Sequence, residues 1–165
     1  MSTLSLSALG FAQQALLGGV RGGQPARFQG PEVTAYLTDV GIAYPAAWCA
    51  AFVYSMFEQA VAADSTGIAI NPCPRTAGAL RMYELAPLRS RRPLPAPGDL
   101  FVIVHTDGIH GHTGFVESVT PDGQTITSIE GDSNPAGSTT GDQMARHTWV
   151  PADGKRGRLR GFLEF

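Results

Sequence analysis

With 165 residues, 43% of them hydrophobic and 16% charged, the chain is long enough to bury a core and too apolar to be disordered. A formal net charge of -2 provides no whole-chain field for nucleic acid, and no stretch is long and apolar enough to span a membrane. The two cysteines, Cys49 and Cys73, make neither a disulfide framework nor a CxxC zinc pair, although a single bridge between them stays open at this level.

The N-terminal run MSTLSLSALGFAQQALLGGV lacks a basic leader, and Gln13 and Gln14 interrupt it. It reads as an amphipathic helix over 5–18, with Leu6, Leu9, Ala12, Leu16 and Leu17 near one face, rather than as a signal peptide. The expectation is a chain made in the cytoplasm that would reach a target outside it by another export route. Gly22-Gly23-Gln24-Pro25 breaks the helix. Pro31 then opens a short helix carrying Val33, Tyr36, Leu37 and Val40, and Gly41 ends it. The next helix is expected from Trp48 or Cys49 through Ala62, with Val53, Phe57, Ala60 and Val61 as its buried stripe and Asp64, Ser65 and Gly67 as its stop. Another short helix fits Thr76 to Leu85, and Pro93, Pro95 and Pro97 make a stiff connector.

From Gly98 the period changes. Strands are expected at Leu100 to Val104, at Thr113 to Val119, and, after the turn Pro121-Asp122-Gly123, at Thr125 to Glu130. Ala145 to Val150 and Leu159 to Glu164 are two further strand candidates. Helices first and strands after mean an α+β fold. One domain spans 1–165: an N-terminal helix and loop over 1–30, a helical part over 31–92 and a sheet part over 93–165. Basic residues gather at Arg89, Arg91 and Arg92 and at Lys155, Arg156, Arg158 and Arg160. They read as solvated loop faces, with a patch for an anionic wall polymer as the alternative.

Cys49 opens its helix, where the dipole and the unpaired N–H groups favour a thiolate and can later hold an oxyanion. Of the four histidines, His112 stands at a strand start in GHTGFVESV, between Gly111 and Gly114, which admit close neighbours. His105 ends the preceding strand, and Gly-flanked His110 reads as a loop residue. Glu130, in TSIEGDSN, can accept the other ring proton of a histidine and fix its tautomer, or can simply cap a strand before a turn at Gly131. A metal site built from His105, His110 and His112 with Asp99 or Asp107 is the competing chemistry.

Three blocks in this order, PAAWCAAFV, PGDLFVIVHTDGIHGHTGFVESV and TSIEGDSN, resemble the CHAP and NlpC-type cysteine amidases and peptidases. The flanking GPEVTAYLTDVGI and CPRTAGAL look like the stretches beside the Cys helix in that family. The resemblance implies a papain-like fold, in which a helix carrying Cys packs against an antiparallel sheet carrying His and an acid. It implies cleavage of amide bonds in peptidoglycan, in the stem peptide or at the glycan–peptide junction, with no metal or other cofactor. Cys49 matches the nucleophile, His112 the general base and Glu130 the acid that orients the histidine. Tyr44 is a candidate second oxyanion donor or a packing residue, and Trp48 a cleft or core residue. Asp132 stands where the family commonly has Asn, with Asn134 intact two positions on; the departure leaves any fourth, polar role open and touches none of the first three residues. Phage-type release or delivery as a toxin by a secretion machine would suit such an enzyme, the second with an immunity protein as partner. The alternatives are a silent binding module on the same fold and a cysteine hydrolase or acyltransferase acting on a substrate outside the wall.

Overall fold

The computed structural model describes residues 2–23, 26–139 and 141–165, so Gln24 and Pro25, half of the expected break after the first helix, lie outside the described residues. The helices are α1 (Thr3–Leu17), α2 (Pro31–Asp39), α3 (Cys49–Ala62) and α4 (Ala79–Leu85). The strands are β1 (Arg91–Arg92), β2 (Leu100–Val104), β3 (Gly111–Val119), β4 (Ile126–Ser133), β5 (Gln143–Trp149) and β6 (Arg158–Leu163). They form one antiparallel sheet in the order β1-β6-β2-β3-β4-β5. The fold is α+β with the helices N-terminal and the sheet C-terminal, consistent with a papain-like architecture.

Ser2 caps α1 by accepting the Ser5 N–H at 3.0 Å. The helix buries Ser5, Ala8, Leu9 and Ala12, whereas Leu6 and Leu17 of the expected stripe are exposed. Small residues face inward because α1 packs directly against α3, and a short side chain lets the two backbones approach. α2 starts at Pro31 and buries Val33, Tyr36 and Leu37 as its spacing predicts.

α3 is the centre of the molecule. Val53, Phe57 and Ala60 are buried as expected, but so are Ala50, Ala51, Phe52, Ser55 and Met56. A helix flanked by α1 and α2 on one side and by β3 and β4 on the other has no solvent face to keep polar over most of its length. α4 begins at Ala79, three residues later than expected, after a turn in which Thr76 Oγ1 accepts the Gly78 N–H.

β2 is buried at every position, and its side chains divide between two apolar clusters. Leu100 and Val102 join Phe52, Phe57, Phe115, Ile129 and Leu163 beneath the helices. Phe101 and Ile103 join Val116, Ile126, Trp149 and Phe162 on the opposite side. Burial of the larger apolar side chains contributes about 1.5–3 kcal/mol each. Two strand boundaries differ from expectation within the blocks that carry the chemistry: β3 begins at Gly111 and β4 continues through Ser133. β1 is an addition to the expected strands, since two arginines carry no strand pattern. It exists because Arg91 and Arg92 pair in register with Leu163 and Phe162.

Candidate active site

Cys49 is the first residue of α3 and is 4% exposed. No acidic side chain occupies the first turn and no side chain caps it, so the positive end of the helix and its free N–H groups are left to the cysteine. The preceding residue is held from the sheet: the Trp48 N–H donates to Asp132 Oδ2 at 3.3 Å. The Trp48 ring lies wholly in the core, stacked on Tyr36 at 6.2 Å and edge-on to Phe52 at 6.5 Å. It fits only because residue 131 is glycine: a Cβ there would sit 2.5 Å from the indole Cζ3. Trp48 is therefore a core residue and lines no cleft.

His112 projects from β3 and is fully buried. Its Nε2 meets Glu130 Oε2 at 2.8 Å. The Glu130 side chain reaches it across Gly114, where a Cβ would lie 2.9 Å from Glu130 Cγ. Nδ1 has no hydrogen-bond partner, and the neighbour acting on the ring besides Glu130 is the Cys49 thiol. Burial opposes a charged ring, yet Cys49 and Glu130 outweigh it, and His112 holds its proton above the ordinary histidine range. Burial likewise opposes the Glu130 carboxylate, but Arg156 and His112 keep it ionised far below its usual range.

Glu130 does not end its strand, and Gly131 is no turn. β4 runs on to Ser133 through a register shift between Glu130 and Ser133, where Asp132 takes a left-handed φ of 56°. The irregularity buries both carboxylates. Asp132 Oδ1 has no partner, and burial raises this carboxyl to about 7 against the pull of His112, the Trp48 N–H and Arg27. Asn134 serves the local backbone, its Oδ1 accepting the Ser138 N–H at 3.2 Å within a turn. Tyr44 is 65% exposed, which corrects the packing reading. It lines a cavity of about 520 Å³ with Phe28, Thr34, Thr38, Ile42 and Pro45, on the segment leading into Cys49.

Three side chains to which sequence reasoning gave no role in the site, Arg156, Ser128 and Trp149, complete the surroundings of Glu130. Arg156 donates from Nη1 to Oε1 at 2.6 Å and from Nη2 to Oε2 at 2.8 Å. Its guanidinium lies 5.1 Å from the Trp149 ring centroid. Trp149 Nε1 donates to Ser128 Oγ at 2.9 Å, and Ser128 Oγ donates to Glu130 Oε1 at 2.6 Å. Arg156 thus departs from the solvated loop face expected of its cluster. So does Arg91, which donates to the Tyr83 carbonyl at 3.1 Å, whereas Arg92 is exposed and pairs with Glu164. Arg89, Lys155, Arg158 and Arg160 are exposed as expected, Arg160 lying over the Tyr83 ring at 5.0 Å.

The other histidines lie outside this hydrogen-bonded pair. His110 lies in the loop before β3, its Nδ1 2.6 Å from Asp107 Oδ2, and His147 meets Ser133 Oγ at 3.0 Å. Asp99, at the far end of β2 from His105, accepts the Ala96 N–H at 2.8 Å. Among the described residues no group of three His, Cys, Asp or Glu side chains is placed to hold a metal ion, so the residues of the competing metal reading are not brought together. Both cysteines are free, and burial pushes the Cys73 thiol up, beside Met82.

Among the described residues no helix is long and apolar enough to cross a membrane. No curated protein and no solved structure matches the chain. A family model for the CHAP domain does, over residues 40–132, a stretch that holds Cys49, His112, Glu130 and Asp132; the chain belongs to that family, whose activity is of the amidase and peptidase type.

Proposed function

We propose that the protein is a cysteine-dependent hydrolase of amide bonds in bacterial peptidoglycan. The observation that carries this reading is the line of three groups: a cysteine at the bare N-terminus of α3, His112 beside it, and Glu130 on the far ring nitrogen. Glu130 takes Nε2 and so leaves Nδ1 to serve the thiol.

The Cys49 thiolate attacks the carbonyl carbon of the scissile amide. The oxyanion that forms is stabilised by the free N–H groups of the first turn of α3. His112 gives its Nδ1 proton to the departing amine, and a thioester remains on Cys49. Neutral His112 then takes a proton from water, the hydroxide attacks the thioester, and the acid leaves as the thiolate is restored. Glu130 keeps the ring in one tautomer and stabilises its charged form throughout. In this reading Tyr44, exposed on a cavity lined by the segment before Cys49, contacts substrate.

The test is digestion of purified sacculi by the wild type and by Cys49→Ala, with the released fragments identified by mass spectrometry. Fragments from the wild type alone are expected, and their masses name the bond. Equal release by both proteins, or none from either across several wall chemistries, overturns the reading.

A further inference from the structure

Arg156 and Trp149 lie beyond the matched stretch 40–132, and the hydrolytic scheme above gives neither a role. Yet the arginine side chain is only 11% exposed, and it spends both terminal nitrogens on the one carboxylate that orients His112. A tie that merely fastened the turn before β6 could end on a carbonyl such as that of Gly137, which Arg156 also reaches at 3.4 Å. A bidentate, aromatic-backed contact to a fully buried carboxylate does more, because it decides the charge of that site.

Charge counting shows how. In the attacking state Cys49 is an anion, His112 a cation and Glu130 an anion, which leaves one net negative charge out of water. Arg156 brings the sum to zero while Asp132 keeps its proton. The other titratable groups facing the site do not replace it. Asp132 adds no positive charge, His105 and His147 are pushed by burial toward their neutral forms, and Arg27 is exposed and acts on Asp132. Without Arg156 a buried net charge is relieved most easily by taking up a proton, on Cys49 or on Glu130, and either one dismantles the ion pair.

We propose that Arg156 is a positioning residue of this site, whose charge and fork-shaped contact hold Glu130 ionised and aimed at His112 and so permit the Cys49–His112 ion pair. The proposal rests on the Cys49–His112 reading given above. Trp149 shields the guanidinium and, through Ser128, fixes the Oε1 side of the same carboxylate.

The experiment needs no substrate. Alkylation of Cys49 by iodoacetamide is followed by peptide mass spectrometry from pH 5 to 9 in the wild type, Arg156→Met, Arg156→Gln and Arg156→Lys, with folding checked by circular dichroism. Arg156→Met keeps the stem against Trp149 without the charge, and its alkylation at pH 7 is expected to fall about tenfold or more, with the onset moved to higher pH. Arg156→Lys restores the charge and is expected to stay within about threefold of the wild type. Arg156→Gln, which can still donate to Glu130, carries the same test as methionine if the methionine variant does not fold. A neutral variant that folds and matches the wild-type profile, or a lysine variant as slow as the neutral ones, overturns the proposal. A wild type whose Cys49 reacts no faster than an ordinary thiol overturns the site reading itself, and the role of Arg156 with it.

Discussion

Two histidine–carboxylate pairs lie within a few residues of each other, and they have little in common beyond their chemistry. His110 meets Asp107 at 2.6 Å on an exposed loop, and His112 meets Glu130 at 2.8 Å with neither side chain exposed. The loop pair is local. Asp107 accepts the backbone N–H groups of Ile109 and His110 as well as the ring, and those bonds hold its carboxyl below the usual range. Water screens such a pair, so it organises a turn and little else. The buried pair joins two strands, is neighboured by a thiol, and has an arginine behind it. A short distance between a histidine and an acid therefore says little by itself. Burial, and what stands on the other ring nitrogen, separate a candidate catalytic histidine from a turn residue.

The largest expected effect breaks or keeps that contrast outright. Release of wall fragments should drop at least about a thousandfold in His112→Ala and in Cys49→Ala, and stay within about twofold in His110→Ala. Comparable losses in His110→Ala and His112→Ala would mean that the loop pair belongs to the chemistry. The acids come next. Glu130→Gln should lower kcat about a hundredfold or more, while Asp107→Asn leaves it unchanged. Chemical denaturation should add that Glu130→Ala, which strands a buried guanidinium, costs about 3–5 kcal/mol. Asp107→Ala should leave the transition midpoint where it is.

Asp132 sharpens the contrast because it is a buried carboxyl with no cation at hydrogen-bond distance. Its carboxyl is raised by burial from 3.8 to about 7. The folded chain therefore keeps a proton that the unfolded chain has released between those values, and stability is lost as pH rises through that window and is level above it. Asp132→Asn removes the loss. Its Tm relative to the wild type should be nearly unchanged at pH 4, climb to about pH 7 and then stay constant; a difference independent of pH would show the carboxyl to be ionised throughout. The smallest effect belongs to the exposed rim. Tyr44→Ala should raise KM about threefold with kcat held, and a fall in kcat instead would return Tyr44 to the oxyanion site.

Much of the fold is legible in the residues alone. Pro31 and Gly41 punctuate α2, the apolar spacing from Val53 to Ala60 marks α3, and the change to runs of β-formers after Gly98 marks the sheet. Cys49 at a helix start and His112 on a strand follow from the same patterns, because each lies inside an element whose period is strong. The buried faces are less legible. Leu6 and Leu17 are exposed and Ser5, Ala8 and Ala12 buried, since close helix packing rewards small residues that a search for large apolar ones overlooks. Gly131 misleads for a related reason: glycine signals a turn by default, but here its missing Cβ makes room for the Trp48 ring.

The sequence by itself determined the order of the helices and of five strands, and it placed Cys49 at a helix start and His112 at a strand start, because period and punctuation act over short distances and are written in neighbouring residues; the role of Glu130 rested on the resemblance of the three blocks. Only the tertiary structure decided which of the two neighbouring histidines is buried, and that Asp132 ties the sheet to the start of α3. It alone placed Arg156 on Glu130, 26 residues along the chain, with Trp149 behind it. Contacts of that kind are set by strand register and by what a covered sheet excludes from water. No local pattern encodes them, so a basic cluster that looks solvated in the sequence can supply the charge that a buried site needs.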